Sequence, residues 1–201
     1  MKKTSSSPAR SSHLRPLIAL LALVFALAAC SDAGAGTVAP DAKKASAALN
    51  AGLTAHGAGK LADAWAHYEE ALKYDHKNKF ALYNLGLIDA ANGNYGLAEE
   101  RYRVVLGIDP TYGPALFNLA ILRTARADTT EATALYERAV AADPKSAAAW
   151  LNLGLLQRAD GEKAAGNKSV KRALALDPKL KDPATVARKA PAETPSGPAT
   201  K

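Results

Sequence analysis

Apolar positions fall into two patterns along the chain. Residues 17–29, LIALLALVFALAA, are one unbroken apolar stretch without a charge. From residue 45 to residue 180 the apolar and small positions instead return every 34 residues. NLGLIDAANGNYGLAEERYRVVLGIDP (84–110) aligns with NLAILRTARADTTEATALYERAVAADP (118–144) and NLGLLQRADGEKAAGNKSVKRALALDP (152–178). Asn84, Asn118 and Asn152 are in register, as are Leu85, Leu119 and Leu153, and Pro110, Pro144 and Pro178. A weaker copy precedes them. In it Asn50, Gly52, Ala64, Tyr68 and Ala71 keep their places, and His76 stands where the proline belongs.

Each repeat reads as two antiparallel helices. Small residues sit where the helices touch: Gly52, Gly86, Ala120 and Gly154 on the first, Ala64, Ala98 and Ala132 on the second. Tyr68, Tyr102 and Tyr136 fill the space between them with apolar aromatic area. Asp109-Pro110, Asp143-Pro144 and Asp177-Pro178 end the second helix, because a residue before proline disfavours the helical conformation. Gly93, Asp128 and Gly161 fall in the turn between the two helices.

This period and these residues resemble the tetratricopeptide repeat. The resemblance implies an all-α, right-handed superhelical solenoid of four helix-turn-helix units, at 45–78, 79–112, 113–146 and 147–180. A single unit cannot bury its own apolar face, so the units stack. Several residues depart from the pattern. The family's tryptophan appears only as Trp150, and Arg123 replaces a usually aromatic residue. Gly166 and Val170 weaken the second helix of the last unit, which is expected to be the loosest. No amphipathic capping helix is evident after residue 180. The last helix, with Lys163, Asn167, Lys168 and Lys171, is polar enough to serve as its own cap.

Charge changes the picture little. The chain carries 26 Lys+Arg against 19 Asp+Glu. Four of those cations, Lys2, Lys3, Arg10 and Arg15, precede the apolar stretch, where there is no acid. Residues 45–180 hold 16 basic and 15 acidic side chains, without a basic run interleaved with aromatics. The footprint of a nucleic-acid binder is missing.

The apolar stretch is too short to cross a hydrocarbon core as a helix, which takes about 20 residues. With a basic segment before it and small residues at its end, it fits a secretory signal peptide, residues 1–29. It leads into Cys30, the one cysteine of the chain. Leu27-Ala28-Ala29-Cys30 resembles the bacterial lipobox. The resemblance implies a diacylglyceryl group on the Cys30 thiol, cleavage before Cys30 and acylation of the new amine. Two or more chains anchor stably where one does not. The alternative is a signal cut at an Ala-x-Ala site, leaving an idle thiol. Ser31, where an Asp favours inner-membrane retention in such lipoproteins, is compatible with an outer membrane. The protein is therefore expected on the periplasmic face of the outer membrane in a diderm cell, or on the outer face of the cell membrane in a monoderm. Residues 30–44 read as the lipidated cysteine and a flexible tether, and residues 181–201 as a disordered, proline-rich tail.

Catalytic and cofactor chemistry finds no support. One cysteine cannot make a disulfide or a thiolate zinc site, and His13, His56, His67 and His76 lack metal-ligand spacing. Gly161 to Ser169 looks like a phosphate-binding loop, but Asn167 interrupts its Gly-Lys-Ser run and the repeat register makes it helical. There is no GxSxG. Acidic residues read as scattered on helix surfaces. The expectation is a non-enzyme with no cofactor, no metal and no nucleic-acid partner.

In the family, the first helices of the units line a groove that holds a peptide or a partner's helix. Here those helices give Asn50, Asn84, Asn118 and Asn152, a ladder of amides that can pair with a peptide backbone or bond within the repeat. Tyr83, Leu87, Phe117, Ile121, Leu151 and Leu155 surround it, with Leu49, Leu53 and Phe80. The groove is nearly without cations except Arg158, so a clamp for a terminal carboxylate is not expected. The reading is a membrane-anchored scaffold that docks segments of envelope proteins, peptide or helix, in assembling or stabilising a pilus- or secretion-type complex. The alternative is an accessory that binds cell-wall glycan or a small ligand.

Overall fold

The computed structural model describes residues 39–184. The expected signal peptide, Cys30, most of the tether and the tail beyond residue 184 lie outside the described residues.

The odd-numbered helices start where a side chain accepts a free backbone N–H of the first turn, or where a proline removes one. Asp41 accepts from the Lys44 N–H and opens α1 (Ala42–Gly57); Asn78 accepts from Ala81 and opens α3 (Lys79–Ala91). Pro114 lies in the first turn of α5 (Gly113–Ala125), and Ser146 caps α7 (Ala147–Ala159) through the Ala149 N–H. Three of these starts, at 79, 113 and 147, coincide with the expected unit boundaries. The first does not: α1 begins at Ala42, so the last residues given to the tether belong to the first helix.

The intervening helices are α2 (Leu61–Tyr74), α4 (Tyr95–Ile108), α6 (Thr129–Ala142) and α8 (Lys163–Leu176). Each ends just before an aspartate. Asp75, Asp109, Asp143 and Asp177, 34 residues apart, accept the N–H two residues on through Oδ1, at 2.9–3.1 Å. Asp75 builds this turn without a proline after it. The aspartate side chain thus suffices to close the helix, and the proline reinforces it.

Between the paired helices the backbone passes through the left-handed region at Gly59, Gly93, Ala127 and Gly161, with φ of 73°, 79°, 59° and 91°. The turn residue of the third unit is Ala127. Asp128 is the cap of α6 instead, accepting from Glu131 N–H.

Each helix packs on its chain neighbours, giving four hairpins stacked in order. Tyr68, Tyr102 and Tyr136 are 0%, 1% and 2% exposed and form the wall between the helices of the first three units. A Cβ on Gly52 or Gly86 would stand 2.5 or 2.6 Å from the tyrosine ring opposite, so the ring as placed in these two units requires glycine, whereas Ala120 faces Tyr136 in the third. Leu85, Leu116, Leu119 and Leu153 continue the core from unit to unit.

The last hairpin packs differently. Val170 replaces the tyrosine, and α7 and α8 meet backbone to backbone at Gly154 and Gly166. A Cβ on Gly166 would lie 2.6 Å from the Gly154 carbonyl oxygen; one on Gly154 would lie 2.8 Å from the Gly166 oxygen. Gly166 is therefore a contact point, not a weak spot. The helix it sits in is as long as α4 and α6.

The ordered chain also passes residue 180. Asp182, 8% exposed, accepts from both terminal nitrogens of Arg158 at 2.7 and 3.0 Å. Asp182 thus packs on the last unit, and residues 183 and 184 are helical. Among the described residues no helix is long and apolar enough to cross a membrane.

Candidate functional site

On each odd-numbered helix the candidate groove residues are three or four positions apart, which places them on one face. Leu49, Asn50 and Leu53 share a face of α1; Phe80, Tyr83, Asn84 and Leu87 of α3; Phe117, Asn118 and Ile121 of α5; Leu151, Asn152 and Leu155 of α7. Leu53, Phe80 and Ile121 are 45%, 47% and 40% exposed, while the remaining apolar members are half-buried. An isolated exposed leucine is ordinary. Leu53, Phe80 and Ile121 put large apolar side chains in water on three successive odd helices; Leu61 and Trp65 on α2 and Tyr95, Leu97, Val104 and Ile108 on α4 are exposed as well.

Aromatic rings join the units along this face. Phe80 meets Tyr112 edge-on at 6.1 Å, Tyr112 meets Tyr83 at 5.4 Å, and Tyr83 leans on Tyr102 at 5.9 Å. Phe117 packs on Tyr136 at 5.9 Å. Lys79 holds its ammonium 5.3 Å from the rings of both Phe80 and Tyr112, and 2.6 Å from Asp109 Oδ2. This hydrogen bond is the main reason why the Asp109 carboxyl lies below its ordinary range. Burial pushes the phenols of Tyr83, Tyr102, Tyr112 and Tyr136 up; the amide of Asn118 works against that shift at Tyr83, and the side chains of Thr124 and Asn152 do so at Tyr136.

The amides are partly committed to the fold. Asn84 Nδ2 donates to the Phe80 carbonyl at 2.8 Å. Asn118 Nδ2 donates to the Pro114 carbonyl and to the Tyr83 hydroxyl, each at 3.0 Å. Asn50 is exposed. An amide has two N–H donors and an acceptor oxygen, so these bonds leave Oδ1 of Asn84 and Asn118 for a ligand N–H. Next to Asn118 a cavity of about 240 Å³ opens between α3, α5 and the turn that follows α6, lined by Tyr83, Pro114, Phe117, Asn118, Asp143 and Ser146. It is large enough for one side chain of a docked segment.

Arg158, the main cation expected at the groove, is engaged. Besides its two bonds to Asp182, its Nε donates to Asn167 Oδ1 at 2.9 Å.

The acidic residues are not all on the surface, contrary to the sequence reading. Asp89 and Glu99 are each 5% exposed. Asp89 accepts from Arg101 Nε at 2.6 Å, and Arg101 also reaches Glu69 of the previous hairpin at 3.3 Å. Glu99 takes Arg103, Arg123 and Arg126, and Arg123 Nε lies 3.1 Å from Glu131 Oε2. Asp89, Arg123 and Gln157 are 34 residues apart, at the place the family fills with an aromatic ring. That register was the available signal. Charge pairs and a Gln157–Ser169 hydrogen bond of 2.8 Å replace the ring. Among the described residues no group of three or more potential metal ligands exists.

Comparison with known proteins agrees with this architecture. Two family profiles described as tetratricopeptide repeat match residues 43–112 and 89–151, together more than half of the chain. No curated protein sequence matches significantly. Among solved structures, MamA from Desulfovibrio magneticus is 25% identical over 68% of this chain and 77% of its own, with a TM-score of 0.59. PilF of Pseudomonas aeruginosa is 21% identical over 69% of this chain and 63% of its own, with a TM-score of 0.60. The first repeat domain of RPAP3, bound to an HSP90 peptide, is 21% identical over 61% of this chain and 97% of its own, at 0.56.

Proposed function

The chain belongs to the tetratricopeptide-repeat family, and we propose that it is a non-enzymatic docking scaffold held at the cell envelope by acyl chains on Cys30. Its odd-helix face takes an extended or helical segment of another envelope protein, in the assembly or stabilisation of a pilus- or secretion-type complex. The observation that carries this reading is the row of Leu53, Phe80 and Ile121, exposed on successive odd helices beside the Asn84 and Asn118 amides. Apolar side chains supply the contact area, and the amide oxygens supply backbone pairing that does not depend on the partner's sequence. The lipobox-like residues before Cys30 support the anchor. The peptide held by the RPAP3 repeats supports the mode of binding.

Photo-crosslinking in the native host tests the docking. Ile121 is the site for the reactive group, because Tyr83 is packed between Tyr102 and Tyr112. Glu100, exposed on α4, is the control. The expected result is one discrete protein adduct from Ile121 and none from Glu100. Adducts from neither position, in a folded and lipidated protein, would sink the proposal. Labelled palmitate tests the anchor: it enters the chain and is lost in Cys30→Ser.

A further inference from the structure

The last unit carries a second cleft, on the opposite side of α7 from the candidate groove. Trp150, Leu153 and Gln157 recur at i, i+3 and i+7, half a turn away from Leu151, Asn152 and Leu155. They floor a cleft of about 670 Å³ between α6 and α8. We propose that this cleft is a docking site for a partner segment with a large apolar anchor side chain flanked by acidic residues.

Repeat register explains why the cleft exists. At the equivalent places unit three has Arg123, Glu131 and Leu135, and unit four has Gln157, Ala165 and Ser169. Leu135 is 4% exposed and fills its place in the core, while Arg123 spans Glu99 and Glu131. In unit four these three side chains are smaller, while Trp150 and Lys168 on its rim are larger than Leu116 and Ala134 in unit three. Gln157 and Ser169 satisfy each other through their hydrogen bond, so no polar atom of that pair needs a further partner. The open part of the cleft lies at Trp150 and Ala165, which are half-buried, above Leu153, which is 3% exposed. A ligand side chain laid there adds apolar contact on the outer side of the core that Leu135 fills one unit earlier.

Charge selects the flanks. Lys168, Lys171 and Arg172 line the cleft and are exposed, against one acid, Glu137. Long basic side chains cover apolar walls with their stems while their heads stay in water, where they meet a ligand's carboxylates. The cleft follows α8 from Ala165 to Ala175, about 15 Å at 1.5 Å per residue, which suits two to three turns of a helix laid in a groove. Its volume is in the ordinary range for ligand sites. A membrane surface fits less well. The apolar floor lies between two helices, open to an inserted side chain and closed to a flat bilayer.

Trp150 reports on the site once the exposed Trp65 is replaced in a Trp65→Phe background. The probes are acidic helical peptides of about fourteen residues, a length that matches the cleft with its flanks. They carry Leu, Ile, Met or Phe at two anchor positions among glutamates. Counterparts carry Ala anchors or lysine flanks, and phosphatidylglycerol vesicles form a separate arm. Peptides with large anchors and acidic flanks are expected to shift Trp150 emission saturably. Ala anchors or lysine flanks weaken this by about tenfold or more, the loss of roughly one buried contact or pair. Ser169→Leu, and separately Ala165→Leu, fill the cleft and abolish the response while circular dichroism stays helical. Lys168→Glu with Lys171→Glu weakens it. No saturable shift with any acidic peptide overturns the proposal. So does an undiminished response in both filling variants, or a response to vesicles alone. None of these outcomes bears on the odd-helix face, which is tested at Ile121.

Discussion

Asn118 of the third unit donates an amide hydrogen to the Tyr83 hydroxyl of the second, 3.0 Å away. This bond couples neighbouring units on the face proposed to bind. Tyr83→Phe and Asn118→Ala are each expected to destabilise the protein by about 1 kcal/mol, the usual net value of one such hydrogen bond. The double variant should lose less than the sum, because the second change removes a bond already broken. Urea midpoints of the four proteins measure the coupling, and strict additivity would show that the bond contributes nothing.

Ala127 holds a φ of 59°, where the equivalent residues in the other units are glycines. The left-handed region costs an L-residue roughly 1–2 kcal/mol, offset in part by the greater freedom glycine has when unfolded. Ala127→Gly should therefore stabilise by about 0.5–1 kcal/mol, and Gly93→Ala should destabilise by a similar amount. Thermal denaturation of both decides it.

Gly166 stands where three other units have a buried alanine, so repeat pattern alone favours Gly166→Ala. The structure reverses that sign. The added methyl would meet the Gly154 oxygen at 2.6 Å and the Arg158 Cγ at the same distance. Backbone cannot yield as a flexible side chain can, so a loss of about 1–3 kcal/mol is expected. A higher melting temperature for Gly166→Ala would refute the close contact.

Glu99 gathers three arginines while itself buried. Glu99→Leu leaves Arg123, whose side chain is 11% exposed, near the two remaining acids Asp128 and Glu131. Breaking a buried pair on one side costs about 3–5 kcal/mol, and the lower end applies here because Arg103 and Arg126 can turn to solvent. Replacing Arg123 by Met as well should restore most of the loss. Chemical denaturation of the single and double variants checks both parts.

Stability should fall toward acid and toward alkaline pH. Asp41 and Asp109 sit below their ordinary 3.8, the first chiefly through the Lys44 N–H and the second through Lys79. A depressed carboxyl stabilises above that value and ceases to as pH falls through and below it. Both are only partly buried and reached by water, so the acid limb is shallow. Burial raises Tyr68, Tyr83, Tyr102, Tyr112 and Tyr136 above 10.0. Above that pH the unfolded chain ionises while the folded one resists, so stability is lost as pH climbs. Tyrosine ultraviolet absorbance should ionise together with helix loss, and ionisation of all seven tyrosines in a fully helical protein would contradict the burial.

Much of the fold was legible because its determinants are local. The 34-residue register, the aspartate turns and the small-against-tyrosine pairs each act within one unit, through contacts a few residues to one hairpin apart. They set the helix count, three of the four unit starts and the odd-helix face with Leu53, Phe80 and Ile121. The tertiary structure decided what depends on a neighbour that the register does not name. Asp89 and Glu99 look like surface acids until Arg101 and Arg123 close over them. Gly166 looks like a flaw until Gly154 is seen against it. Arg158 looks like a groove cation until Asp182 folds back 24 residues to take it. The cleft at Trp150 is lined by α6, α7 and α8 together, with the small Ala165 and Ser169 on α8. Burial and free volume belong to the meeting of two elements, and neither element's sequence states them alone.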